Sequence, residues 1–451
     1  MPLVSTFGAL SARGFGFTGA AAPTPSGPYW LGANTTWPSA TPITLYGSAS
    51  DAQGNLFTSG VYVGGSALNG YTAKLSPTGS IIWQRLLVNT YNVSGWYNAV
   101  DAYGNCYTAG EANTAGGVSY GYVAKYNSSG SLQWQRSLSN GSFNLSLFGV
   151  AVDASLNVYV VGTTVQTGNT PLVLAKYNSS GVLQWQRAFG PTSGRFSFAT
   201  IALDSSASIY VSYSDTSTLY GYVGGLAKFN TSGTLQWQRG WYDPAGNRYY
   251  YGGPIAVNSN TGAVYVASGL SDVGPANDAF LLLRWDSTGA FGSGPSLGNS
   301  FSGDKGIALD SAGNVYMSGA MGGISSVLAK FDASGGYQWQ RSLTGATSAD
   351  ALYGEGLSID TGGNLKWVLK YGNAPYVLLP FLARLPSDGS RTGTYSVAGG
   401  NFTYGVPTFF TGSLTPSLMT PTYPSTASTF TDAAATFTDS AASLSLSVTT
   451  I

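Results

Sequence analysis

Asp101-Ala-Tyr-Gly-Asn105, then Ala124-Lys125-Tyr126, then Asn127-Ser128-Ser129-Gly130 and Leu132-Gln133-Trp134-Gln135-Arg136, is one copy of a unit that recurs along the whole chain. Its opening turn returns at Asp51, Asp153, Asp204, Asn258, Asp310 and Asp360, so that successive starts lie 50, 52, 51, 54, 52 and 50 residues apart. A period of about 51 residues is that of a propeller blade and too long for most solenoid repeats. After each turn comes a β-rich run such as Val158-Tyr159-Val160 or Val315-Tyr316-Met317. The Ala-Lys run follows, with Arg284 and Arg384 in place of the lysine in two copies. The Trp-Gln-Arg run closes the unit, carrying Trp83, Trp134, Trp185, Trp237 and Trp339. With the apolar run before each Asp, that makes four strands per unit, A to D. Four antiparallel strands repeated around an axis form a blade. The expected fold is therefore all-β: a seven-bladed β-propeller over residues 28–400, with an irregular Gly/Ala-rich N-terminal arm (1–27) and a Ser/Thr-rich C-terminal extension (401–451).

The fifth and seventh copies lack the Trp-Gln-Arg run. Two segments compete to complete the last blade. Tyr29-Trp30-Leu31 lies about as far before Asp51 as Trp83 lies before Asp101, and Thr392-Gly393-Thr394-Tyr395 belongs to the seventh copy itself. The extension contains a small echo, Thr429-Phe430-Thr431-Asp432 and Thr436-Phe437-Thr438-Asp439. Both ends are expected as flexible arms, or as segments that order on assembly.

Charged residues are 8% of the 451, balanced at 19 basic and 19 acidic. No basic stripe is present, so nucleic acid is not an expected partner. No apolar run reaches the length of a membrane helix, so no membrane insertion is expected. Met1-Pro2-Leu3-Val4-Ser5-Thr6 has no basic and apolar leader pattern, and no secretory signal is read there. Cys106, the one cysteine, stands where other copies carry Val or Leu and reads as a buried strand residue.

The repeated residues read as architecture. Asp51, Asp101, Asp153, Asp204, Asp310 and Asp360 open turns in which a carboxylate accepts amides two residues on. Trp83, Trp134, Trp185, Trp237 and Trp339 alternate onto one face of strand D together with the arginine two residues later. That face is expected against a neighbouring blade, so the arginine needs an aromatic ring or a repeated Asp as partner. The turns lack the spaced acidic ligands of a calcium loop, and no metal or cofactor is expected.

The chain has no histidine. That removes the commonest general base and zinc ligand, and every triad built on one. A carboxylate pair remains available for glycoside hydrolysis. Glu111, Asp215, Asp243, Asp272, Asp278, Asp304, Asp350 and Glu355 lie outside the repeat positions, but nothing in their spacing brings two together. Catalysis is not expected.

Strand order puts the short A–B and C–D turns on one face of the disc and the longer, variable B–C and D–A loops on the other. Loops on a rigid scaffold carry recognition. The loop Gly240-Trp241-Tyr242-Asp243 through Arg248-Tyr249-Tyr250-Tyr251 is the richest in aromatics, and Trp96 and Tyr97 lie in its counterpart in an earlier blade. Trp96, Tyr97, Trp241, Tyr242, Arg248, Tyr249, Tyr250 and Tyr251 form the candidate recognition surface, suited to protein hot spots or to stacking on sugar rings.

The pattern Asp-x-x-Gly-Asn-x-Tyr-Val-x-Gly followed by Ala-Lys-Tyr-Asn-x-x-Gly-x-Leu-x-Trp resembles the SBBP β-propeller repeat of bacterial and phage proteins, over about residues 42–390. That resemblance implies the fold and no reaction. Phe7-Gly8-Ala9-Leu10-Ser11-Ala12-Arg13-Gly14-Phe15-Gly16 resembles the start of tailed-phage structural proteins, including those of marine phages and cyanophages. Together they imply a non-enzymatic component of a bacteriophage virion (tail, fibre or capsid-associated), present in multiple copies. It would contact other virion proteins, or a host-surface glycan or receptor. The alternatives are a bacterial surface or secreted carbohydrate-binding propeller and a glycan-cleaving enzyme using loop carboxylates.

Overall fold

A computed structural model describes residues 29–33, 43–64, 67–141, 143–166, 168–190, 194–218, 221–272, 279–297, 301–321, 325–345, 350–373, 377–397 and 400–407. It also describes short strands at 4–6, 9–12, 411–413, 417–419, 425–427, 431–434, 438–441 and 447–450. The described residues contain strands and turns and no helix. They form seven four-stranded antiparallel blades arranged as a β-propeller. Blade 1 is Ile43–Ser50, Leu56–Gly64, Ala67–Leu75 and Ile81–Val88, in the order A, B, C, D from the axis outward. Blade 2 is Val93–Val100, Cys106–Asn113, Ser119–Tyr126 and Leu132–Ser139.

Six of the seven A–B turns are held by an aspartate, and the fifth by Asn258, whose Oδ1 accepts the Asn260 and Thr261 amides. Asp101 Oδ1 accepts the amides of Tyr103 (2.8 Å) and Asn105 (3.0 Å), and Oδ2 accepts the Asn105 side chain (2.7 Å). The same carboxylate also accepts the Tyr107 hydroxyl at 2.9 Å, so the tyrosine of the Val-Tyr-Val run is tied to the turn that precedes it. Tyr159, Tyr210 and Tyr316 repeat that bond to Asp153, Asp204 and Asp310. The Ala-Lys lysine then lies over the tyrosine ring, as Lys125 does over Tyr107 at 5.3 Å.

Adjacent blades are latched through strand D. Trp134 Nε1 donates to the Ser179 carbonyl in the C–D turn of blade 3 (3.1 Å), and Arg136 Nε donates to Gly181 O of the same turn (2.6 Å). A Cβ at Gly181 would press into the Trp134 ring, so the glycine lets the indole lie flat on the turn. Arg239 and Arg341 make the same bond to Gly289 and Gly389, and Arg187 reaches Ser232 O. Arg187, Arg239 and Arg341 lie over their own tryptophans at 5.3–5.5 Å. Of the two partners expected for the arginine, the ring is used; turn carbonyls of the next blade take the place of an aspartate. Arg239→Ala is expected to lower stability by about 1–2 kcal/mol, the worth of its charged hydrogen bond to Gly289 and its stacking on Trp237. Denaturant unfolding of the variant against the parent measures it.

The ring is closed by the N-terminal segment. Trp30–Ala33 pairs antiparallel with Val377–Pro386, placing Trp30 opposite Arg384 just as Trp83 stands opposite Lys74. Trp30 is thus the tryptophan that the seventh copy lacks. The competing segment forms Gly393–Val397, which pairs with Gly400–Gly405 on the sheet of blade 6. In blade 5 the missing run is replaced by two short strands, Phe291–Ser293 and Pro295–Leu297, on the same partner. Cys106 is fully buried, and burial pushes its thiol pKa up.

Both ends depart from the expectation of loose arms. Val4–Thr6 and Ala9–Ala12 form a hairpin whose two edges pair with the innermost strands of blades 1 and 5, at Ala49–Ser50 and Ala256–Asn258. The hairpin therefore stands inside the ring of inner strands, in the half next to the short turns. The described strands of 401–451, expected as a separate extension, each add to the outer edge of a blade. The physical reason is the same at both ends: a blade edge, inner or outer, presents unpaired backbone groups that a further strand satisfies.

Candidate functional site

Strand A of several blades carries a β-bulge at one level. Leu45 is opposite Gly60 and Gly47 opposite Ser59, leaving Tyr46 over. The same shift leaves over Trp96 in blade 2, Phe148 in blade 3, Ser197 in blade 4 and Glu355 in blade 7. A bulge adds a residue to one strand and re-aims its side chain. In blades 1, 2 and 3 a glycine on strand B permits it. A Cβ at Gly60, Gly110 or Gly162 would overlap the carbonyl oxygen of Thr44, Ser94 or Ser146. The glycine ending Tyr-Val-x-Gly is thus the sequence trace of the bulge.

The re-aimed side chains meet around the axis. The Tyr46 and Trp96 rings are 5.0 Å apart, and the Trp96 and Phe148 rings 6.4 Å. A residue that touches its counterparts on both neighbouring blades faces the channel. All three rings are half-buried, so part of each remains open. Beyond Tyr46, Glu355 and Lys370 form an ion pair at 2.7 Å, and Lys370 Nζ stands 4.2 Å from the centre of the Tyr46 ring. Burial, with Glu355 adding, pushes the Tyr46 hydroxyl pKa up to about 12, so it stays protonated at neutral pH. Trp96 Nε1 is buried without a hydrogen-bond partner in the protein. Next to Phe148, Ser146 Oγ donates to Glu111 Oε2. The result is an arc over blades 7, 1, 2 and 3: an ion pair, a phenol, an indole and a phenyl ring. It lies in the first half of strand A, hence toward the variable-loop face, and the N-terminal hairpin lies on its other side. Among the described residues no cluster of His, Cys, Asp or Glu is placed to hold a metal ion.

The eight residues expected as a recognition surface are dispersed. Trp96 belongs to the arc. Tyr97, Trp241 and Tyr250 are buried at 8%, 0% and 3% exposure and cannot present a surface. Trp241 is buried because it lies four residues after Trp237 on strand D, on the same inward face. Its Nε1 donates to Ser268 Oγ (3.0 Å), its ring meets Trp285 at 5.1 Å, and Gly224 makes room for it. Tyr242, Arg248, Tyr249 and Tyr251 are half-buried. Tyr249 and Tyr251 flank Tyr222 at 5.4 and 4.9 Å. Of the carboxylates, Asp243 accepts turn amides, Asp215 is buried, and Glu111 and Glu355 border the arc. Asp278 lies outside the described residues, as do the side chains of Asp272, Asp304 and Asp350. The residues missed from sequence are Tyr46, Phe148 and Lys370.

No family model matches the chain. No curated protein matches it either. Solved structures do. The polysaccharide lyase Uly1 is similar at 9% identity and TM-score 0.46, over 83% of this chain and 94% of that one. The polysaccharide lyase PL25 ulvanlyase bound to -[GlcA(1-4)Rha3S]- is similar at 10% identity and TM-score 0.45, over 82% and 95%. A subtype N10 neuraminidase-like protein of A/little yellow-shouldered bat/Guatemala/060/2010 is similar at 10% identity and TM-score 0.39, over 79% and 99%. The expectation of a non-enzymatic virion component is not matched by these three chains, which are named as polysaccharide lyases and a neuraminidase-like protein. At such identities the likeness speaks to fold alone.

Proposed function

We propose that the chain is a carbohydrate-binding propeller that takes a polysaccharide at the axial mouth on its variable-loop face. The observation that carries this is the Tyr46–Trp96–Phe148 arc. Pyranose rings present apolar C–H faces that stack on aromatic rings, while their hydroxyls need polar partners at the rim. The Glu355–Lys370 pair beside the Tyr46 ring supplies such partners within the same arc. The repeats are assigned to the SBBP type on the Asp-x-x-Gly-Asn and Ala-Lys-Tyr motifs quoted above.

The test is a panel of neutral, uronate-bearing and sulfated polysaccharides, with binding read by intrinsic tryptophan fluorescence and turnover by the appearance of new chain ends. Binding of at least one class is expected, with a change in fluorescence because Trp96 lies in the contact. No binding across the panel overturns the proposal. A second reading, cleavage of the bound chain, is favoured by one observation: a phenol held protonated stands beside an ion pair at the edge of the aromatic platform. In that reading Tyr46→Phe removes turnover and leaves binding in place.

A further inference from the structure

The C-terminal strands follow a single rule of register. Leu87 and Leu138, four residues after Trp83 and Trp134, face Asp439 and Asp432. Their counterparts Phe189 and Trp241 face Ser425 and Leu418, and Leu297 and Leu343 face Thr411 and Tyr404. Successive partners are seven residues apart. Blade 7 keeps the step: Ala33 faces Ser447, and the equivalent Leu86 of blade 1 faces Ser440. The chain thus passes blades 6, 5, 4, 3, 2, 1 and finally 7, against the order in which the blades were laid down, spending one heptad on each.

The heptad is also written in the residues. Threonine recurs at 408, 415, 422, 429, 436 and 450, and the residue after it is aromatic at Phe409, Tyr423, Phe430 and Phe437. The echo Thr-Phe-Thr-Asp is two of these steps. In the first step, where side chains are described, the corresponding Phe402 is buried and meets Phe381 (4.9 Å) and Tyr371 (5.3 Å). Those rings belong to blade 7, whereas the strand carrying Phe402 pairs with blade 6. The aromatic therefore enters the junction between two blades. Between successive strands only three to five residues intervene (414–416, 420–424, 428–430, 435–437, 442–446). An extended residue covers about 3.3–3.6 Å, so connections of this length reach at most roughly 10–18 Å.

We propose that the rim of the propeller is a peptide-binding surface of seven equivalent strand-addition sites, and that its ligand is this chain's own heptad array, residues 401–451. Strand addition takes its affinity from main-chain hydrogen bonds and its register from side chains that enter pockets. Each of these strands is short and weak alone. Linked in series, each raises the effective concentration of the next, and the array holds as a belt. Its last step covers Trp30–Ala33 from outside, so the strand that closes the ring is held between Val377–Pro386 and Ser447–Thr450.

Because the belt runs backward, shortening it exposes blades in an order no other arrangement gives. Hydrogen exchange is compared for the full chain, a chain ending at Ala442 and one ending at Ser428. Ending at Ala442 is expected to speed exchange on the order of tenfold at Trp30–Ala33 and not in the outer strands of the other blades. Ending at Ser428 adds Ile81–Val88 and Leu132–Ser139, and leaves Leu183–Phe189, Leu235–Tyr242 and Tyr337–Gly345 protected. Unchanged exchange, or acceleration in blades 3 to 6, overturns the proposal. To keep the test independent of folding of the shortened chains, a protease site is placed between Val397 and Gly400 of the full chain and cut after folding. Residues 401–451 are expected to co-elute with the propeller and to be displaced by excess synthetic 401–451 peptide. Immediate separation after the cut overturns it.

Discussion

Lys366→Met is expected to lower the unfolding free energy by about 3–5 kcal/mol, the cost of breaking a buried ion pair by removing one partner. Lys366 is fully buried where blades 2, 3, 4 and 6 carry the turn-bound tyrosine. Its Nζ donates to Asp360 Oδ2 at 2.7 Å and to Gly54 O of blade 1 at 2.8 Å. One ammonium thus joins the last blade to the first, across the junction that closes the ring. Arg384 adds a longer contact to Asp360 at 3.5 Å. Burial, with Arg384 adding, draws the lysine pKa down to about 8 against the pull of Asp360. Burial works against the Asp360 carboxylate too, but Lys366, the Asn364 amide and Arg384 outweigh it and the carboxyl titrates below its ordinary value. For an acid whose folded pKa is depressed, the stabilisation is complete above the unfolded value and is lost as pH falls through the folded one. The gap in unfolding free energy between the parent and Asp360→Asn is therefore expected to be widest near about pH 7 and to close below about pH 4. Urea unfolding of both chains across that range measures it. A gap that widens in acid contradicts the assignment.

Gly110→Val is expected to cost about 3 kcal/mol or more, because its side chain has to displace backbone. A Cβ there overlaps Ser94 O and comes within 2.8 Å of the Tyr122 ring. Relief requires strand A to slide, and the bulge that re-aims Trp96 is then lost. The variant is therefore expected to lose glycan binding along with stability. Gly405→Ala, where an added Cβ meets nothing within 4 Å, serves as the control and is expected to change stability by less than about 0.5 kcal/mol. Thermal unfolding and the binding assay together distinguish the two.

The blade pattern was legible because its turns and alternation are local. An aspartate that accepts amides two and four residues on, and a tryptophan face that alternates with glutamine, need no knowledge of distant chain. Ring closure was half legible: Trp30 has the right spacing, but choosing it over Thr392–Tyr395 depends on which strand reaches Val377–Pro386, a contact across more than 340 residues. The axial arc was hidden because it is made by bulges. Strict alternation puts Tyr46 and Phe148 on an ordinary strand face, and only the glycines at 60 and 162 mark the irregularity. Trp241 was misread as loop because its strand runs on through Tyr242. The belt was present as a seven-residue echo, but a Ser/Thr-rich composition reads as an unstructured tail until the edges that pair with it are known.

The most direct test of the axial site compares two single substitutions for binding to the best polysaccharide of the panel. Trp96→Ala is expected to weaken binding roughly thirtyfold, about 2 kcal/mol, as loss of a central aromatic contact does. Tyr249→Ala, in the separate tyrosine cluster of blade 5, is expected to leave it unchanged. The opposite pattern, with Tyr249 essential and Trp96 dispensable, contradicts the placement of the glycan at the axial mouth.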